Sequence, residues 1–264
     1  MGRRLADVRY GGGPAAVVDV HLPAASVADP PLLVNLHGGG WYSGDKALAT
    51  RCCDALAERG LVVVNANYRI RQHDPVPAMV DDARAVLGWV TSSAVPDAVR
   101  EASRRGIALA GDSAGAHVAA MTVLADSSMV DALVCWCGGL SLGALEVGAD
   151  DPLAERFAVY VRALTGAEPG SAAAAERLAE LDPVRRLHEG MPRTLVVTSA
   201  LDFFHASNLE YVLAARTAVL PVELLDYDAS HAVCTHSWQL DPAHAESQEV
   251  YDRTAAFVRE AVTR

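Results

Sequence analysis

Gly111-Asp112-Ser113-Ala114-Gly115 stands between an apolar run, Ile107 to Ala110, and a helical run, Ala114 to Leu124. A strand that passes directly into a helix must reverse within a few residues, with the residue at the tip held in a strained conformation. Gly111 and Gly115 flank Ser113 because side chains there would collide across so tight a turn. The turn exposes the Ser113 hydroxyl above the carboxyl end of the strand. It also sets the Ala114 N–H at a helix N-terminus, where the dipole favours developing negative charge. A glycine-flanked serine is also a good plain N-cap, but the strand before it and the helix after it favour a nucleophile.

The same rhythm runs through the chain. Leu5 to Tyr10 and Ala15 to Leu22 read as a hairpin around Gly11-Gly12-Gly13-Pro14. Apolar runs at Leu32 to Leu36, Leu61 to Asn65, Ala132 to Trp136, Thr194 to Thr198 and Val222 to Leu225 read as strands. Helical patterns lie at Ala47 to Arg59, Pro77 to Val90, Ser207 to Ala218 and Ala243 to Val262. This alternation predicts an α/β fold with a mostly parallel central sheet flanked by helices. Residues 138 to 192 interrupt it after the sixth strand, a gap far longer than an ordinary connection. Leu153 to Leu164 and Ala172 to Leu181 are helical within it, so the segment reads as a small helical insertion, a lid or cap. The alternative is a decorated crossover. With no internal repeat or linker, residues 1 to 264 read as a single domain.

A serine hydroxyl is a poor nucleophile near neutral pH and needs a base, which in turn needs an orienting acid. In this type of fold the chain order is Ser, then Asp or Glu, then His. Asp202 directly follows the strand TLVVTS, and His231 lies a few residues past the strand VELL. They are the expected acid and base. Asp226 and Asp228 leave the same strand end as His231 and are poorly placed to approach it. His236 shares the loop with His231, and the four residues between them suggest a metal pair, but no carboxylate or cysteine pattern supports one. His117, on the helix behind Ser113, reads as a buried, satisfied histidine.

Acyl transfer also needs N–H donors about 2.7–3.1 Å from the oxyanion. Ala114 supplies one. The glycines of LHGGGW follow an early strand and offer backbone without side chains, so Gly38 and Gly39 are the expected partners. A phosphate cradle is the weaker reading, because neither Gly-x-x-x-x-Gly-Lys-Ser/Thr nor G-x-G-x-x-G with its distant acid is present. His37 reads as an anchor for this loop. Trp41, Tyr42, Phe203 and Phe204 are plausible walls of a substrate pocket.

The net charge of −11 argues against nucleic acid or anionic membranes as partners. No apolar stretch of about 18 residues predicts a membrane span, and the N-terminus lacks the apolar run of a secretory signal. Five cysteines without zinc-type pairs suit a reducing cytoplasm. No metal and no cofactor are expected. The edge strand near Val222 to Leu225 is a surface on which a homodimer would pair.

HGGGW, NYR (Asn67 to Arg69), VPAMVDD (Val76 to Asp82), GDSAGAH, ALD (Ala200 to Asp202) and SH (Ser230, His231) fall in one order. In this the sequence resembles the hormone-sensitive-lipase-like carboxylesterases of the α/β-hydrolase fold. WYSGDK and GDSAGAH look especially like the compact esterase and formamidase branch. The resemblance covers roughly residues 30 to 240. It implies a Ser113–His231–Asp202 triad, oxyanion donors at Gly38, Gly39 and Ala114, no cofactor, and a small ester or amide as substrate. Amide or formamide hydrolysis, acyl transfer or cyclisation on a specialised metabolite would use the same triad. A binding protein that has lost turnover is the remaining alternative. The sequence departs from the family in lacking a second acid shortly after Asp202, and in having Ala232-Val233 where Gly-Phe is usual after the histidine.

Overall fold

The computed structural model describes residues 2–25, 27–70 and 75–262; the terminal positions of the expected domain lie outside the described residues. Its strands are β1 (Arg3–Arg9), β2 (Val17–Leu22), β3 (Leu32–Leu36), β4 (Val62–Ala66), β5 (Ile107–Asp112), β6 (Ala132–Trp136), β7 (Arg193–Ser199) and β8 (Val222–Tyr227). They form one sheet in the order β1-β2-β4-β3-β5-β6-β7-β8. The hairpin β1–β2 is antiparallel and joins β4 antiparallel; every pairing from β4 to β8 is parallel.

β3, β4, β5 and β6 are buried along their whole length, as continuous apolar runs covered on both faces must be. Alternate residues feed two cores. Leu32, Val34 and Leu36 pack with α2 (Pro75–Val90), α3 (Asp97–Ser103), α4 (Ala114–Ala125) and α7 (His205–Thr217). Leu33, Val63 and Val134 pack with α1 (Thr50–Glu58) and α8 (Ala245–Val262). α4 is buried on every side from Ala114 to Leu124, so the residue at its start is held by the densest part of the molecule.

The long gap holds α5 (Ala154–Thr165) and α6 (Ala172–Leu181), close to the predicted bounds. Phe157, Val161, Leu164, Leu178 and Leu181 join the first core. Sequence reading misses α3. This helix has seven residues and buries only Val99 and Ala102, too short a pattern to show a period. β8 lies at one edge of the sheet, as expected.

Candidate active site

The carboxyl ends of β3, β5 and β7 and the loop after β8 meet at one end of the sheet, where functional loops of parallel sheets gather. Ser113 sits there at φ 53°, ψ −120°, between β5 and α4. Such a conformation is rare for a residue with a side chain and is held only by a rigid surround. Its N–H donates to the Trp136 carbonyl of β6 at 2.9 Å. The flanking glycines are required by contact. A Cβ on Gly111 would collide with the Gly115 carbonyl, and one on Gly115 with the Leu36 carbonyl at the end of β3.

His236 Nε2 lies 2.8 Å from Ser113 Oγ, and His236 Nδ1 lies 2.7 Å from Asp202 Oδ1. A carboxylate only accepts, so Nδ1 carries the proton and Nε2 accepts from the serine hydroxyl. Asp202 is buried on the turn after β7, and its Oδ1 also accepts the Phe204 N–H at 3.0 Å. The Phe203 ring lies 3.9 Å from the His236 ring.

His231 does not take this place, which corrects the expected base. Its side chain is 42% exposed and its Nδ1 pairs with Glu246 Oε1 at 3.1 Å. The turn that holds His231 is the reason. Ser113 follows β5 and the histidine loop leaves β8, three strands away, a span of about 14 Å at the usual strand spacing. Four residues from Tyr227 to His231 reach that far only when fully extended. Instead they form a turn, with Ser230 N–H bonded to Asp228 Oδ1 and His231 N–H to the Asp228 carbonyl. The nine residues to His236 suffice. Counting that span is the signal the sequence held.

The glycine loop is also more specialised than its sequence suggests. Gly38 N–H donates to Asp112 Oδ1 at 3.0 Å, so it is not free to meet an oxyanion, which corrects that assignment. Gly39 and Gly40 have φ of 135° and 63°, and their N–H groups donate to nothing among the described residues. A Cβ on Gly39 would collide with the Ser43 carbonyl; one on Gly40 would meet the Tyr160 and Tyr42 rings at 2.8 and 2.9 Å. His37 anchors the loop. Its Nδ1 lies 2.7 Å from the Gly38 carbonyl and its ring stacks on Tyr68 at 4.3 Å. Burial lowers its pKa and keeps it neutral.

Asp112 ties three segments together. From the nucleophile turn it accepts Gly38 N–H on Oδ1 and the Ser237 hydroxyl on Oδ2 at 3.3 Å, next to His236. Burial pushes its carboxyl up to about 6, against the pull of His236 and the Gly38 N–H.

Trp41 is buried, and its Nε1–H donates to His117 Nδ1 at 3.1 Å. His117 Nε2 therefore carries a proton and donates to the Leu181 carbonyl at 2.9 Å. Burial lowers the His117 pKa to about 4. The histidine is buried and satisfied, as expected. It fixes the glycine loop, α4 and the end of α6 to one another. Phe204 is buried and Phe203 half-buried; with Phe157 and Tyr160 of α5 they form an aromatic cluster beside His236. Tyr42 is exposed.

Among the described residues one group has the donors for a metal ion: Cys137, Asp202 and His236, with ligand atoms within 4.8 Å of one another. His236 and Asp202 already bond each other. Cys137 Sγ contacts Gln239 Oε1 at 3.8 Å, and burial holds its thiol well above the ordinary pKa. The set fits a hydrogen-bonded network better than a cation.

The chain is similar in sequence and in fold to known proteins. The chain is 29% identical over 246 residues to the gibberellin receptor GID1C of Arabidopsis thaliana, covering 86% of this chain and 68% of that protein. It is 34% identical over 128 residues to the kynurenine formamidase of Danio rerio, covering 48% of this chain but only 41% of that protein. In structure it is similar to esterase LipW from Mycobacterium marinum, at a TM-score of 0.77 and 26% identity, covering 100% and 83% of the two chains. Esterase B from Lactobacillus rhamnosis shares the fold at a TM-score of 0.84 and 20% identity, covering 99% of this chain and 86% of that one. A family model for the alpha/beta hydrolase fold matches residues 33–236, from β3 to the histidine that faces Ser113, and the chain belongs to that family, in its hormone-sensitive-lipase-like branch.

Proposed function

We propose that the protein is a serine hydrolase of small to medium carboxylic esters that works through an acyl-enzyme. The observation that carries this reading is His236, hydrogen-bonded to Ser113 Oγ on one nitrogen and to Asp202 on the other. Ser113 attacks the acyl carbon while His236 takes its proton and then delivers it to the leaving alcohol. Asp202 holds the imidazole in the required tautomer and stabilises its charged form. Water repeats the sequence on the acyl-enzyme. Gly39, Gly40 and Ala114 supply the N–H donors to the oxyanion. The inserted segment acts as a lid, with Tyr160 of α5 packed on Gly40.

The likeness to a kynurenine formamidase supports a second reading in which the same residues cleave a formamide. The acyl-enzyme step is common to both. Labelling with a fluorophosphonate probe, followed by turnover of nitrophenyl esters of two to twelve carbons and of an aryl formamide, separates them. Labelling that Ser113→Ala abolishes, with ester turnover, is expected. Labelling with formamide turnover alone selects the second reading. Absence of labelling overturns both and favours a binding role such as the name of the gibberellin receptor describes.

A further inference from the structure

Helix α5 carries a cation, Arg156, beside the site. The Arg156 guanidinium lies 4.6 Å over the Phe203 ring, the Phe203 ring lies 3.9 Å from His236, and His236 reaches Ser113. Arg156 is exposed and makes no ion pair among the described residues. Arg162, on the same helix, is bonded to Glu168.

The path from Arg156 to Ser113 is aromatic. Tyr42, Glu155, Arg156, Val159 and Tyr160 line an open depression. Tyr160 packs on Gly40 at its inner end, so the depression leads towards the glycine loop. Burial raises the pKa of the Tyr160 hydroxyl, and the Arg156 charge pulls against it. A guanidinium stacked on a ring keeps its N–H edge free, and that edge matches a carboxylate as a two-pronged fork. On a chain of net charge −11, an anion is repelled by most of the surface and attracted here. Glu155 borders the same depression, and its like charge confines an acid group to the Arg156 side.

We propose that Arg156 determines specificity by binding a carboxylate of the substrate. The substrate is then an ester or amide with an apolar or aromatic body and an acid group beyond it; this rests on the hydrolase reading above.

Two matched pairs test it. One sets 4-nitrophenyl hexanoate against mono(4-nitrophenyl) adipate, with the acid at the acyl end. The other sets 4-nitrophenyl butyrate against 3-carboxy-4-nitrophenyl butyrate, with the acid on the leaving group. In at least one pair, Arg156→Gln lowers the acid-to-neutral ratio of kcat/KM about tenfold, mainly through KM. That is the scale of one partly solvated charge-assisted hydrogen bond. Arg156→Lys keeps part of the ratio, and 0.5 M NaCl lowers it in the parent protein but not in Arg156→Gln. An unchanged ratio in both pairs overturns the proposal. Binding to Ser113→Ala separates this from failure of the chemistry. That variant holds the acid ester of the preferred pair more tightly than its neutral partner, and adding Arg156→Gln removes the difference. No difference overturns the proposal even where fluorophosphonate labelling upholds the hydrolase.

Discussion

Gly38 N–H and Asp112 Oδ1 are 3.0 Å apart although 74 residues separate them in the chain. The bond joins the glycine loop to the nucleophile turn, and the other oxygen of the same carboxylate holds Ser237, beside His236. One buried acid thus ties together the glycine loop, the Ser113 turn and the segment that carries His236.

Asp112 is therefore a positioning residue, and its two substitutions differ. Asp112→Ala removes both bonds and lowers kcat by roughly 10², the cost of misplacing oxyanion donors. Asp112→Asn keeps an acceptor for Gly38 and costs less. The acid also leaves a signature in stability. Its folded pKa, about 6, is above its ordinary 3.8, so between these values the folded protein retains a proton that the unfolded chain has lost. Ionisation as pH rises through this window destabilises the fold. Urea unfolding should show Asp112→Asn gaining on the parent protein from pH 4 to 6 and holding a lead of about 1–3 kcal/mol above it.

The two histidines of the loop after β8 should separate sharply in kinetics. His236→Ala lowers kcat by roughly 10⁴ or more, the loss seen when a triad base is removed. His231→Ala gives up a part-buried pair with Glu246 and an edge contact with Tyr227, neither of which touches Ser113, and kcat should stay within about threefold of the parent. Steady-state kinetics on one nitrophenyl ester decides it. The reverse pattern would return the base to His231.

These contrasts mark how far the sequence reads. Continuous apolar runs such as Leu32 to Leu36 announce buried parallel strands because local composition and final environment agree. The GDSAG turn is legible because its two glycines stand at fixed offsets from the serine: Gly111 faces the Gly115 backbone in its own turn, although Gly115 itself faces the distant Leu36 at the end of β3. His236 is hidden among its neighbours because reach across the sheet, not proximity to a strand end, decides which histidine faces Ser113. The role of Gly38 is hidden because its partner, Asp112, is 74 residues away and stands at the variable position of the G-x-S-x-G pattern. Residues whose function depends on a distant side chain leave no periodic trace.

Gly39→Ala examines the glycine loop. At φ 135° a Cβ would run into the Ser43 carbonyl, so the loop must move. Loss of one oxyanion donor lowers kcat by roughly 10² to 10³, and backbone strain costs about 1–3 kcal/mol of stability. Kinetics together with thermal unfolding should show both effects. A variant with a lower Tm but normal kcat would remove Gly39 from the site.

His117 gives the opposite pH dependence to Asp112. Its folded pKa, about 4, is below its ordinary 6.5, because protonation would charge a fully buried ring whose Nδ1 must accept from Trp41. The unfolded chain takes up that proton first as pH falls. The stability held by His117 is therefore complete above about pH 6.5 and lost progressively down to about pH 4. His117→Phe cannot titrate, but it leaves Trp41 Nε1 and the Leu181 carbonyl unpaired, which costs about 2–4 kcal/mol at pH 7.5. The gap between parent and variant should shrink by about 2–3 kcal/mol between pH 6.5 and 4.5 in urea unfolding. A gap that stays constant over that range would mean that His117 is charged in the folded protein, and that the link from Trp41 to Leu181 does not run through a neutral ring.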